Sequence, residues 1–129
     1  MKSMKKIFLV MAIFFSLDSW SEQNSKLAME NAMRVLDSFM THFNSRDMEQ
    51  WSETLNYPHV RFAGSEVTVW DTKEEYSSVD IFDRLTSTGW HHSAWLSRKV
   101  ILVSEDKVHI STVFQLSLIH ISEPTRRRG

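Results

Sequence analysis

The chain has no cysteine, and only three glycines and two prolines among its 129 residues. Without cysteine it can form no disulfide and no thiolate zinc site, so an exported chain of this size must be held by its apolar core alone. A lipoprotein anchor is excluded too, because no cysteine follows the N-terminal apolar run. The few glycines leave no phosphate-cradling loop or Walker sequence, and neither a His-Glu-x-x-His helix nor a nucleophile motif is present. No cofactor is therefore expected. A basic excess is also lacking: from Glu22 to Gln115, nine lysines and arginines face fourteen acidic residues, a net charge of minus five. Phosphate binding needs a basic surface, so a nucleic-acid partner is not expected.

Both ends carry segments set apart from the domain. Met1 to Lys6 hold three lysines, Ile7 to Leu17 form an apolar run, and Ser19-Trp20-Ser21 puts small residues where a signal peptidase reads. The run is much shorter than the roughly 20 apolar residues that span a bilayer. Residues 1–21 are thus expected to be a secretory signal peptide of bacterial type, cleaved before Glu22, leaving a periplasmic or secreted chain with no stable membrane anchor. At the other end, Leu116 to Arg126 match one translated frame of a transposon-end adapter used in DNA library preparation. A native last strand is the other reading, but a match of eleven residues favours the adapter, and residues 116–129 are set aside on that ground. The domain is then residues 22–115, with further strands expected beyond Gln115.

What is there, between those ends, is apolar periodicity and aromatic bulk. Met29, Ala32, Met33, Leu36, Phe39, Met40 and Phe43 recur at three and four, predicting a helix from Ser25, its N-cap, to about Asn44. Asp47 starts a second helix, Gln50 sits where a capping box needs it, and Met48, Trp51 and Leu55 share a face. Tyr57-Pro58 ends that helix. His59–Phe62 and Glu66–Trp70, joined through Ala63-Gly64-Ser65, read as a hairpin. Thr72-Lys73-Glu74-Glu75 is a second capping box, opening one helix that carries Tyr76, Ile81, Phe82 and Leu85 up to Gly89. Trp90–Val103 and Val108–Gln115 predict a second hairpin, turning at Ser104–Lys107.

That element order, with Phe39–Trp51 (Phe-Met-Thr-His-Phe-Asn-Ser-Arg-Asp-Met-Glu-Gln-Trp) and Tyr57–Phe62, resembles the NTF2-like superfamily, in particular its SnoaL-like and ketosteroid-isomerase-like members. The resemblance covers Leu27 to Gln115 and rests on the Asn44-x-x-Asp47 turn and the apolar face of the second helix. It implies an α+β cone: N-terminal helices packed on a strongly curved antiparallel sheet, a pocket at the wide end, and a homodimer when full length. The isomerases of that family carry a tyrosine on the first helix and an aspartate on the first strand. The matching places here hold Phe39 and apolar or small residues near Ala63, so the oxyanion donor is absent and the first hairpin offers no carboxylate as base except Glu66, which lies beyond the turn.

Histidine is the remaining chemical lead. His59 and Arg61 share one strand face while Val60 and Phe62 share the other, and alternation alone does not say which face is inward. In Gly89–Trp95, alternation puts Trp90, His92 and Ala94 on one side and His91, Ser93 and Trp95 on the other. The expected site is a pocket for a small, largely apolar molecule, with Trp51, Tyr57, Trp90, His92 and Trp95 as binding residues. Were it an enzyme of isomerase, dehydratase or cyclase kind, His92, His59 and Arg61 would be the catalytic candidates. A non-catalytic dimerisation module is the third reading. No metal site is expected, since adjacent strand histidines diverge.

Overall fold

A computed structural model describes residues 2–119, with side chains from Ser21 onward. Met1, the side chains of the leader, and the suspected adapter tail from His120 on lie outside it. The elements run α1 (Lys2–Asn44), α2 (Met48–Glu53), β1 (His59–Ala63), β2 (Glu66–Trp70), α3 (Lys73–Ser77), α4 (Ile81–Ser87), β3 (Trp90–Val103) and β4 (Val108–Leu118). The described residues fall into two compact units: those up to Arg34 with Lys99–Ser111, and Val35–Arg98 with those from Thr112 on. Among the described residues no helix is long and apolar enough to cross a membrane.

The long helix is longer than its apolar stripe. It passes through Ser25 without a break, and the Ser25 hydroxyl donates to the Ser21 carbonyl one turn back, 2.9 Å away. Ser25 is therefore no N-cap: the backbone before it is already helical, which leaves a serine only this local bond. The stripe itself holds, with Met29, Ala32, Met33, Leu36, Phe39 and Met40 half-buried and Phe43 buried.

Helix α2 starts as expected. Asp47 caps it by accepting from the Gln50 backbone N–H at 3.0 Å. The reciprocal half of the box is replaced, since the Asp47 N–H bonds the His42 carbonyl instead. Thr72 caps α3 in the same way, with Glu75 reaching back to the Asp71 N–H. The single helix expected from Thr72 to Gly89 is two. Ser77 and Ser78 turn their hydroxyls onto the Lys73 and Glu75 carbonyls, which competes with helix continuation, and Asp80 precedes the fresh start at Ile81.

Strands β1 and β2 pair antiparallel, with His59 opposite Trp70, Arg61 opposite Thr68 and Phe62 opposite Val67. Gly64 takes φ 63° at the first place of the two-residue turn, as a II′ turn demands. β3 and β4 form the second hairpin, and the two hairpins are separate two-stranded sheets rather than one curved sheet among the described residues. β4 runs to Leu118, past the expected end at Gln115; the Ile119 N–H then reaches the Gly89 carbonyl at 2.7 Å. Gly89 has φ 92°, and a Cβ there would lie 2.9 Å from the Ile119 carbonyl oxygen. Only glycine fits that crossing without displacement.

The core belongs to the second unit. Phe43, Trp51, Tyr76, Phe82 and Trp90 are its buried members, packed by Phe39, Met40, Leu55, Trp70, Ile81 and Leu85. Phe43 makes ring contacts with Trp51, Phe82 and Trp90 at centroid distances of 5.1–5.5 Å. Edge and tilted contacts of this kind add to the area that the aromatics bury.

Candidate functional site

The site is framed by the turn between the first two helices. Asn44 closes two hydrogen bonds on Ser93 in β3: the Ser93 N–H donates to Asn44 Oδ1 at 2.7 Å, and Asn44 Nδ2 donates to the Ser93 carbonyl at 2.8 Å. A carboxamide thus stands in for a neighbouring strand on the edge of β3 that β4 does not cover. Arg46 supplies the left-handed residue of the turn, φ 58°, and lays its guanidinium 4.6 Å from the Trp90 ring centroid. Asp47 then caps α2, so Asn44 and Asp47, at the two ends of the turn, hold a strand and a helix respectively.

Between these elements lies a cavity of about 340 Å³. Its wall is mostly apolar: Phe39, Met40, Phe43, Leu55, Ile81, Leu85, Trp95, Phe114 and Leu116. Trp51, His59, Arg61, Tyr76, Ser93 and Thr112 complete it, and no acidic side chain takes part. A second hollow, of about 570 Å³, adjoins it through shared Trp51, Arg61, Tyr76, Ile81 and Leu85, and includes Glu66 and Thr68.

Several polar groups of the cavity wall are left without partners among the described residues. Trp51 is 3% exposed, yet its indole N–H has no acceptor. The His59 ring nitrogens, the Arg61 guanidinium and the Tyr76 hydroxyl likewise make no hydrogen bond or ion pair there. Burial, and then the Arg61 charge, push His59 below its ordinary 6.5, so its imidazole is neutral at pH 7. Burial pushes the Tyr76 hydroxyl up to about 12, which keeps the phenol protonated. Aromatic contacts fix both rings: His59 stacks on Trp70 at 5.7 Å and meets Tyr76 edge-on at 5.4 Å.

The question left open by alternation in β1 is thereby answered. His59 and Arg61 face the cavity, and Val60, Phe62, Val67 and Val69 are exposed, Phe62 at 79%. The expected binding residues divide. Trp51 and Trp95 line the cavity; Trp95 also donates its indole N–H to the Leu36 carbonyl at 3.1 Å. Tyr57 sits behind the wall, its hydroxyl on the Ser52 carbonyl at 2.8 Å and its ring against Tyr76. Trp90 is 1% exposed, bonded through its indole N–H to Ser93 Oγ, and belongs to the core rather than to the cavity wall.

His92 is exposed and lies outside the cavity, as does His91, whose Nδ1 is 2.9 Å from the Ser117 carbonyl. The strict alternation read from Gly89–Trp95 fails here. Trp90 and Ser93 are both buried, three residues apart, with two exposed histidines between them. The period of two is therefore broken between Trp90 and Ser93, while Ser93 and Trp95 keep the common side that alternation gives them. Tyr76 was not singled out from sequence; its place directly after the Thr72–Glu75 box, on the first apolar position of α3, is the signal that could have found it. Among the described residues no three His, Asp or Glu side chains gather as a metal site.

The end of the N-terminal helix, the capped second helix and the antiparallel hairpins thus frame a mostly apolar cavity in an α+β domain. The profile of the family described as NTF2-like protein (DUF6841) matches residues 29–117, and the chain belongs to that family. Comparison with curated proteins and with solved structures gave no match.

Proposed function

We propose that this NTF2-like domain binds a small, largely apolar molecule in the cavity beside Trp51, and that binding rather than turnover is its task. The observation that carries this reading is the cavity itself, about 340 Å³ with a wall mostly of hydrocarbon, in which His59, Arg61 and the Tyr76 hydroxyl have no hydrogen-bond or ion-pair partner among the described residues. A volume of about 340 Å³ suits a compact ligand of one or two rings. Titration of the full chain with two flat probes, 2-acetylnaphthalene and 2-naphthoate, followed by tryptophan fluorescence and calorimetry, tests the reading. Saturable binding of at least one, weakened by the cavity-filling Leu55→Phe, is expected; heat and quenching that never saturate for either probe would overturn it.

The catalytic reading draws on His59, a neutral imidazole with unbonded nitrogens in the cavity wall, as a base of the isomerase or dehydratase kind. No carboxylate stands in the same wall to orient that ring, which favours binding over turnover. Export is proposed on the lysine-rich start and the apolar run Ile7–Leu17. N-terminal sequencing of the chain expressed in a bacterium should then begin at Glu22, and an intact Met1 would refute it.

A further inference from the structure

We infer that the ligand of this cavity is an apolar monocarboxylic acid, its carboxylate bound by Arg61 at the end where the wall meets solvent. The inference deepens the proposed binding function and rests on it. Arg61 is the one permanently charged side chain of the wall, it is exposed, and it has no anionic partner among the described residues. The chain as a whole carries a formal charge of −1 at pH 7, so an unmatched cation at a cavity is not part of a general basic surface. A planar guanidinium offers two parallel N–H donors, the geometry that a carboxylate accepts.

The rest of the wall sets the number of charges and the nature of the body. His59 is kept neutral by its burial and by Arg61, so the wall carries a single positive charge; the adjoining hollow adds Arg84 and Glu66, whose charges cancel, and a doubly charged phosphate would be left half compensated. The Tyr76 hydroxyl is a neutral donor, able to meet one further oxygen but not to balance charge. Phe39, Leu55, Ile81, Leu85 and Phe114 give the hydrocarbon surface that the remainder of the acid would bury.

The probe pair separates this inference from the binding reading, because 2-acetylnaphthalene keeps the ring system and an acceptor oxygen but lacks the charge. The full chain should bind 2-naphthoate about tenfold more tightly than 2-acetylnaphthalene, the modest factor expected of a charge-assisted pair that stays partly in water. Arg61→Gln should bring the two affinities together, and Arg61→Lys, which keeps the charge and loses the fork, should restore part of the difference. Thermal melts of both variants matching the wild type show that the fold is intact, as the exposed position of Arg61 on a hairpin strand leads one to expect. Equal affinities for the two probes in the wild type, or a preference that survives Arg61→Gln, overturn the carboxylate assignment while leaving the cavity a binding site. Failure of both probes to bind overturns both.

Discussion

Replacing Asn44 by alanine tests the frame on which the cavity depends. The side chain holds Ser93 by two bonds of 2.7 and 2.8 Å, and Ser93 is 1% exposed, so removing the carboxamide takes the partner from two backbone groups of a buried residue. Each buried backbone group left without a partner costs about 1–3 kcal/mol, and the two together about 2–4 kcal/mol once some relaxation is allowed. Against a total stability of about 5–15 kcal/mol that is a large share, a fall in Tm of roughly 10–20 °C for a domain of this size. Urea unfolding of Asn44→Ala beside Asp47→Ala gives the comparison. Loss of the Asp47 cap, whose bond to the Gln50 N–H is exposed, should cost only about 1 kcal/mol. Asn44→Asp should also be unfavourable, because its carboxylate can accept from the Ser93 N–H but turns a second oxygen on the Ser93 carbonyl. If Asn44→Ala costs no more than Asp47→Ala, the turn does not clamp β3 and the reasoning fails.

Three further outcomes follow from the same geometry. His59 titrates below 6.5 when folded, so the unfolded chain takes up its proton first as the pH falls; His59 should therefore contribute full stability above about pH 6.5 and lose it on acidification below that value, and His59→Gln should flatten this slope in urea midpoints measured across the range. Acidification that stabilises the wild type relative to the variant would contradict the assignment. Alkaline titration at the phenolate absorbance band should find both tyrosines above the usual 10, Tyr76 near 12, with stability lost as the pH rises from 10 because the unfolded chain ionises first; a transition confined to pH 10 would place Tyr76 in water. Gly89→Ala should destabilise by about 1 kcal/mol or more from its φ of 92° alone, whatever follows Gln115, and an unchanged melt would deny that conformation. For the tail, we propose that source DNA amplified across the locus encodes something other than Leu116–Arg126 after Gln115; recovery of those codons would end the adapter reading.

What the sequence determined by itself was local. The apolar stripe of α1, the caps Asp47 and Thr72, the hairpin turn at Gly64-Ser65 and the two pairs of strands depend on residues within a few positions of one another, where helix period, cap chemistry and turn preference act directly. The resemblance to NTF2-like proteins drew on the same stretch. Even there, two misreadings came from local rules meeting competitors: α1 ran through Ser25, and the serines after Tyr76 split one helix into two.

The site was decided by contacts that no window of sequence contains. Asn44 and Ser93 are 49 positions apart, and only their pairing shows why an asparagine stands at that turn. Alternation sorted His59 and Arg61 from Val60 and Phe62, but which pair faces the cavity depends on where Tyr76 and Trp51 pack. At His91-His92 the alternation itself breaks, leaving His92 in solvent while Ser93 is buried and Trp95 faces the cavity. A two-residue period records faces and not directions, and one break in it reverses the assignments across it; the direction is chosen by the packing of distant side chains, which is a property of the folded chain alone.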